Sequence, residues 1–162
     1  MTVAAFVGLG GNQGDPLRHV TTAVVEIQEL STEPVRVSPM YGSKAIGPGE
    51  QPDYVNAVAR IDTELPPDEL LCALQRIERK HKRVRKQRWA ARTLDLDLLV
   101  YGDSVVDRPG LQIPHPRLAE RPFVLYPLFD LDPGLHIPGR GTVQQLLKAC
   151  PKTGIWPLHH YE

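Results

Sequence analysis

Apolar and polar positions along the 162-residue chain change period at Gly- and Pro-rich breaks, and those changes predict the elements. The opening "TVAAFVGLG" is a β-rich apolar run stopped by glycines, which predicts a first strand; "GLGGNQG" at its end reads as a backbone turn off the sheet, into the loop "GGNQGDP". Leu17, Val20, Val24, Ile27 and Leu30 then recur at helical spacing, with Pro16 suited to the first turn of that helix. "VRVSPMYGS" reads as a Pro-interrupted strand at a sheet edge, followed by the loop "KAIGPGEQPD" and the alternating strand "YVNAVARIDTEL". "PPDELLCALQRIERKHKR" predicts a helix with prolines at its start, acids in its first turn and bases in its last; Leu70, Leu74 and Ile77 share its apolar face.

The last strand of this half, "RTLDLDLLVYGD", alternates strictly at first. Leu94, Leu96 and Leu98 fall on one face, and Thr93, Asp95 and Asp97 on the other. The resulting order βαββαβ predicts an α+β fold, an α/β sandwich of the ferredoxin-like kind, with an antiparallel sheet and both helices on one face. "HPRLAERPFVLYPLFDL" and "TVQQLLKAC" read as short C-terminal helical additions separated by the turns of "DPGLHIPGRG". Repeats, low-complexity tracts and linkers are absent, so residues 1–162 read as a single domain.

Composition is that of an ordinary globular chain, at 41% hydrophobic and 23% charged residues with zero net charge. The neutral total hides an asymmetry. Residues 79–92, "RKHKRVRKQRWAAR", hold eight Lys or Arg and no acid, which leaves 11 basic against 19 acidic residues elsewhere. An anionic partner is therefore expected at one place. Cys72 and Cys150 lack CxxC or metal spacing and read as passive thiols. The N-terminal apolar run has no basic flank and is too short for a signal peptide or a membrane span, so a cytoplasmic protein without membrane contact is expected.

Asp95 and Asp97 are separated by two residues of strand rise, roughly 6.5 to 7 Å, close enough for their charges to repel. Hard carboxylate oxygens at that spacing suit Mg²⁺, which takes its remaining ligands from water and substrate phosphates. Taken alone, a DxD also fits ion pairs with neighbouring arginines or a solvated sheet face. Its occurrence directly after the basic loop favours a polyphosphate: metals on bridging oxygens, guanidinium forks on the others. Trp89 in that loop is suited to stacking on a flat ring. No Walker A sequence is present, and "GLGGNQG" misses the GxGxxG spacing by one residue. Tyr54 and Asn56, two apart on a strand, place an aromatic plate beside a bidentate amide, as a flat hydrogen-bonding heterocycle would need. Standing alone, that pair equally suits packing at a core edge.

Four segments, "GLGGNQGDP", "GPGEQPDYVNAV", "RWAARTLDLDLLVYGD" and "PHPRLAERPFVLYPL", together resemble the 6-hydroxymethyl-7,8-dihydropterin pyrophosphokinase family of folate biosynthesis. The resemblance implies a ferredoxin-like, Mg²⁺-dependent diphosphotransferase, probing ATP and 6-hydroxymethyl-7,8-dihydropterin as small-molecule substrates and releasing AMP. It implies two Mg²⁺ ions on Asp95 and Asp97, with Arg83 and Arg92 on phosphates as further catalytic residues. Gln75, Glu78, Leu98, Gln112, Ile113, His115 and Arg121 fall where the family surrounds ATP. Ser43, Ala45, Ile46, Tyr54, Asn56, Trp89, Asp95 and Phe123 fall around the pterin, its ring between Tyr54 and Phe123. Ala90-Ala91 stand where Gly-Pro is common, and Gly110 and Pro116 where some members carry Arg and Tyr. A monomer without a nucleic-acid partner is expected. The competing reading is a ferredoxin-like nucleic-acid-binding module that uses loop 79–92 and Trp89. Such a module would need aromatic side chains on its central strands, where this chain carries aspartates.

Overall fold

The computed structural model describes residues 1–45, 51–82, 93–150 and 154–158. Its first half follows the order expected from the hydrophobic pattern. Strand β1 (Val3–Gly11) leads into helix α1 (Pro16–Ile27), whose first turn is fixed by Pro16 and by the Asp15 carboxylate accepting the Arg18 backbone N–H at 3.3 Å. Two short strands, β2 (Arg36–Val37) and β3 (Tyr41–Ser43), precede β4 (Tyr54–Thr63). Helix α2 (Pro67–Lys82) and strand β5 (Asp95–Tyr101) complete the βαββαβ unit. The expected single strand over "VRVSPMYGS" is thus two, broken beside Pro39, which lacks the N–H that a continuous ladder needs.

The rest of the chain is richer than two short helices. Strands β6 (Val106–Arg108) and β7 (Leu111–Ile113) form a hairpin, followed by α3 (Pro122–Leu131). A small ladder of β8 (His136–Ile137) and β9 (Gly141–Thr142) leads to α4 (Val143–Ala149) and then β10 (Ile155–Pro157). The main sheet runs β10-β3-β4-β1-β5 with β2 also on β4, and every pairing is antiparallel. β3 is therefore interior: β10 adds itself outside it, and the Trp156 indole lies on the backbone of Gly42.

Both faces of the sheet are covered, by different parts of the chain. Val20, Ala23 and Ile27 of α1 and Leu70, Leu74 and Ile77 of α2 cluster with Ala5, Val7, Leu9, Leu96 and Leu98 on one face. On the other, Val124, Leu125 and Leu128 of α3 and Val143 of α4 cluster with Phe6, Val58, Leu99 and Val100. β5 serves both because its register against β1 shifts by one residue between Phe6 and Val7. Leu98 belongs to the first cluster, Leu99 and Val100 to the second, and Tyr101 to the first again. The strict alternation read from the sequence ends at this bulge. Tyr41 adds a polar tie, its hydroxyl donating to the Asp130 carboxylate on α3, and burial pushes that phenol well above its usual range.

A Cβ at Gly42 would lie 2.3 Å from Trp156 Nε1. Gly42→Ala is expected to displace the indole and lower stability by about 1–3 kcal/mol, read as an earlier urea midpoint and red-shifted tryptophan emission.

Candidate active site

Three strands place the chemistry, and their register decides what faces what. Gly10 pairs with Asn56 on one side and Asp95 on the other; Gly8 pairs likewise with Val58 and Asp97. Paired residues share a face, so the amide and the two carboxylates flank a strip of bare backbone. The glycines were expected to turn the chain off the sheet. Instead β1 continues through Gly11, and Gly8 and Gly10 alternate with Val7 and Leu9 as its small side. A Cβ at Gly10 would come within 3.2 Å of Asn56 Oδ1, so a side chain there would push the amide by a few tenths of an ångström. Asn56 is 5% exposed, and its Nδ2 donates to Ser43 Oγ at 2.8 Å.

Above this floor lies a cavity of about 230 Å³ lined by Ser43, Tyr54, Asp95, Asp97, Arg121 and Phe123, with Lys44 at its edge. Its walls come from β3, β4, β5 and the start of α3. Arg121 precedes Pro122 at the start of α3 and makes no side-chain cap. Its guanidinium instead lies 5.6 Å from the centre of the Phe123 ring and 3.9 Å from Asp97 Oδ2.

A second, larger cavity of about 610 Å³ opens on the other side of Asp97. Leu98 of β5, Gln112 and Arg108 of the β6–β7 hairpin, and His115 line it. Asp97 is thus the titratable wall common to both spaces. His115 Nδ1 accepts the Arg117 backbone N–H at 3.1 Å, so the neutral ring carries its proton on Nε2. Burial holds its pKa below 6.5, partly offset by Asp97, while Arg121 and other arginines add to the depression. The His115 backbone N–H donates to the Leu99 carbonyl at 2.9 Å, which anchors the histidine to the bulge of β5.

Helix α2 supports the carboxylate strand from behind. Glu78 Oε2 accepts the Leu96 backbone N–H at 2.8 Å, between Asp95 and Asp97. β5 ends the described path of the sheet, so this carboxylate satisfies an outward-facing donor of an edge strand.

Of the sequence candidates, Ser43, Tyr54, Asn56, Asp95, Asp97, Arg121 and Phe123 come together around the smaller cavity, and Leu98, Gln112 and His115 around the larger. Gln75 is exposed on α2 one turn beyond Leu71, which lines the larger cavity. Ile113 is 2% exposed with its side chain in the core, and Ala45 follows β3 half-buried. Ile46, Arg83, Trp89 and Arg92 lie outside the described residues. Sequence reasoning missed the glycine floor, whose signal was the period-two "GLG", and Arg108, which carried none. It also missed Asn12, fully buried, whose Nδ2 donates to Pro52 O at 3.0 Å and Gln51 Oε1 at 3.2 Å, fixing the approach to β4.

Two cavities thus share the Asp97 wall on an antiparallel α+β sheet of βαββαβ order. Residues 6–133 match the family model for 7,8-dihydro-6-hydroxymethylpterin-pyrophosphokinase, HPPK. The chain is 46% identical over 156 residues to the 2-amino-4-hydroxy-6-hydroxymethyldihydropteridine pyrophosphokinase of Pseudomonas aeruginosa, covering 96% of each. It is 45% identical over 147 residues to the Haemophilus influenzae protein of the same name, covering 90% of this chain and 92% of that one. The wild-type Plasmodium falciparum HPPK-DHPS crystal structure with SDX-DHP shares the fold, at a TM-score of 0.70 and 13% identity. That match covers 92% of this chain and 44% of the other, so the chain spans under half of that protein. The chain belongs to the 7,8-dihydro-6-hydroxymethylpterin-pyrophosphokinase family.

Two outcomes follow from the geometry. Glu78→Ala leaves a buried N–H without its charged acceptor and is expected to cost about 1–3 kcal/mol in urea unfolding. The His115 ring is expected to titrate below 6.5 by NMR, and lower still in Asp97→Asn, which removes the charge favouring its proton. Because the unfolded chain takes up that proton first, the contribution of His115 to stability falls as pH drops from 6.5 towards the lower folded value.

Proposed function

We propose that this chain transfers the pyrophosphoryl group of ATP to the hydroxymethyl oxygen of 6-hydroxymethyl-7,8-dihydropterin, with AMP as the second product, in folate biosynthesis. The family carries the reaction; the observation that carries its location is Asp97 lining two adjoining cavities. In this reading the smaller cavity takes the pterin. Tyr54 and Phe123 bracket its ring, and Asn56, held by Ser43, reads its hydrogen-bonding edge. The larger takes the nucleotide, with the neutral His115 offering Nε2–H and Arg108 a positive charge.

The donor set fits a hard divalent cation. Asp95 and Asp97 offer carboxylate oxygens from one face of β5, and the glycine floor opposite leaves room that any Cβ would take. Among the described residues no third His, Cys, Asp or Glu joins such a group, which suits an ion that keeps places for phosphate and water oxygens. Mg²⁺ bound there, two ions in this reading, supplies neutralisation of the phosphate charge. The protein then has to orient and shield. The pterin oxygen forms its bond to the β-phosphorus as the bridge to the α-phosphate breaks, and the hydroxyl proton leaves on the Asp97 side. Arg121, resting 3.9 Å from Asp97, stands where it can turn to the transferring group. Arg83, Arg92 and Trp89, which lie outside the described residues, are proposed as further phosphate and ring contacts, and residues 1–162 as one pyrophosphokinase domain.

The nucleic-acid alternative has no support in the site, to which the central strand β1 presents glycines and the edge strand β5 carboxylates. No helix among the described residues is long and apolar enough to cross a membrane.

Asp95→Ala and Asp97→Ala are each expected to lower AMP formation by at least about 100-fold with circular dichroism unchanged, and EDTA to abolish it in the wild type. Chromatography of spent nucleotide reads the result; ADP in place of AMP, or full turnover in either variant, overturns the assignment.

A further inference from the structure

The helix-covered face of the molecule carries a second chemical cluster that the transfer reaction does not use. His19 on α1 and His81 on α2 approach with their Nδ1 atoms 2.6 Å apart, ring centroids 4.9 Å apart and planes inclined at 68°. Glu26, two turns along α1 from His19, takes the far side of the second ring: His81 Nε2 lies 2.7 Å from its Oε1. An ionised carboxylate only accepts, so His81 carries its proton on Nε2 and, when neutral, aims a lone pair at His19. The His81 side chain is 8% exposed, and the pair borders a cavity of about 590 Å³ that Asp15, Arg18 and Lys80 also line. Burial, the neighbouring His81 and Arg18 lower the His19 pKa against the opposing pull of Asp15.

A carboxylate holding the outer nitrogen of a histidine whose inner nitrogen faces a second imidazole is the arrangement that orients metal-binding histidines. We propose that His19 and His81 form a two-imidazole site for a borderline divalent transition ion of the Zn²⁺ type, with Glu26 orienting His81. The ion takes the Nδ1 lone pair of each ring, which requires the two nitrogens, 2.6 Å apart in the hydrogen-bonded pair, to part to roughly 3.3 Å, the span of two Zn–N bonds at a tetrahedral angle. The proton that His19 carries on Nδ1 in the hydrogen-bonded pair moves to its Nε2, so no net proton is lost and water fills the remaining positions. Imidazole nitrogen selects Zn²⁺, Cu²⁺ or Ni²⁺, whereas Mg²⁺ demands oxygen. The site therefore differs in ligand chemistry from the carboxylate pair and lies on the opposite face of the sheet. It does not depend on the pyrophosphokinase reading. An ion there would link α1 to α2 directly.

The test uses the full chain stripped with EDTA, then Zn²⁺ alone, without nucleotide or pterin, at pH 7.5. Long-range ¹H–¹⁵N spectra of the wild type are expected to show Nδ1 of both His19 and His81 moving to metal-bound shifts while His81 Nε2 stays protonated. Calorimetry is expected to show at least tenfold weaker binding in His19→Gln and in His81→Gln, and unchanged binding in Asp97→Asn and in the His159→Gln/His160→Gln double variant. A Zn²⁺ response confined to other histidines, no response at all, or affinity indifferent to both His19 and His81 overturns the proposal. The wild-type spectra decide the matter even if a variant fails to fold.

Discussion

The register of β1 between β4 and β5 is the constraint from which the site follows. A shift of one residue in either pairing would turn Asp95 and Asp97 into the core under α1 and α2 and bring Leu96 and Leu98 to the smaller cavity, because side chains alternate faces along a strand. Three contacts hold that register. Leu94, Leu96 and Leu98 are 4% exposed or less on the helix side, so any slip would bury carboxylates in their place. Gly10 lies beside Asn56 with no Cβ to push the amide aside. Glu78 binds the Leu96 N–H from the open edge of β5 and so fixes the one residue between the two aspartates. Burying an unpaired carboxylate costs several kcal/mol, more than any gain a slipped register offers.

The two aspartates can sit side by side because the resting site tolerates them at modest cost. At roughly 7 Å and an effective dielectric of 20 their repulsion is about 2 kcal/mol, and less where solvent reaches the Asp97 side chain, 44% exposed. Arg121 offsets part of it from 3.9 Å. The Asp97 wall is therefore negatively charged but partly compensated, and a cation or a phosphate arriving at Asp97 competes there with the long, weak ion pair to Arg121. Exposed contacts of that kind contribute little to stability, so Arg121 exchanges partners at small cost. The bulge at Leu99 has a matching role. It turns the strand from one core to the other just beyond Asp97, and frees the Leu99 carbonyl to hold His115 at the rim of the larger space.

What the sequence made legible follows from local rules. The 3.6-residue spacing of Val20 and Ile27, and of Leu70, Leu74 and Ile77, named helix faces that are buried as read. The "LDLDL" alternation correctly separated core leucines from site carboxylates until the bulge, which depends on pairing with β1 and leaves no local mark. β10 and the β6–β7 hairpin were missed because each strand is three residues long and takes its identity from its partner. Arg108 and Asn12 reach their places through those same long-range pairings and loop contacts, so neither could be read from its neighbours in the chain. Ile113, which the resemblance places beside the nucleotide, packs its side chain into the core.

The sheet also separates two kinds of donor. Hard oxygens occupy the face whose floor is glycine and whose outer wall is the start of α3; imidazole nitrogens occupy the outer side of the α1–α2 layer, where only helix side chains meet. His19 and His81 are brought together by helix packing, since 62 residues separate them, and Glu26 joins them because it lies seven residues, or two turns, beyond His19 on the same helical face. Any ion preference at either place is thus set by which layer supplies the ligands. The carboxylate strand can recruit phosphate oxygens from a substrate in the adjoining cavity, whereas the histidine pair borders a separate space lined by charged side chains of the α1–α2 side, which water can enter.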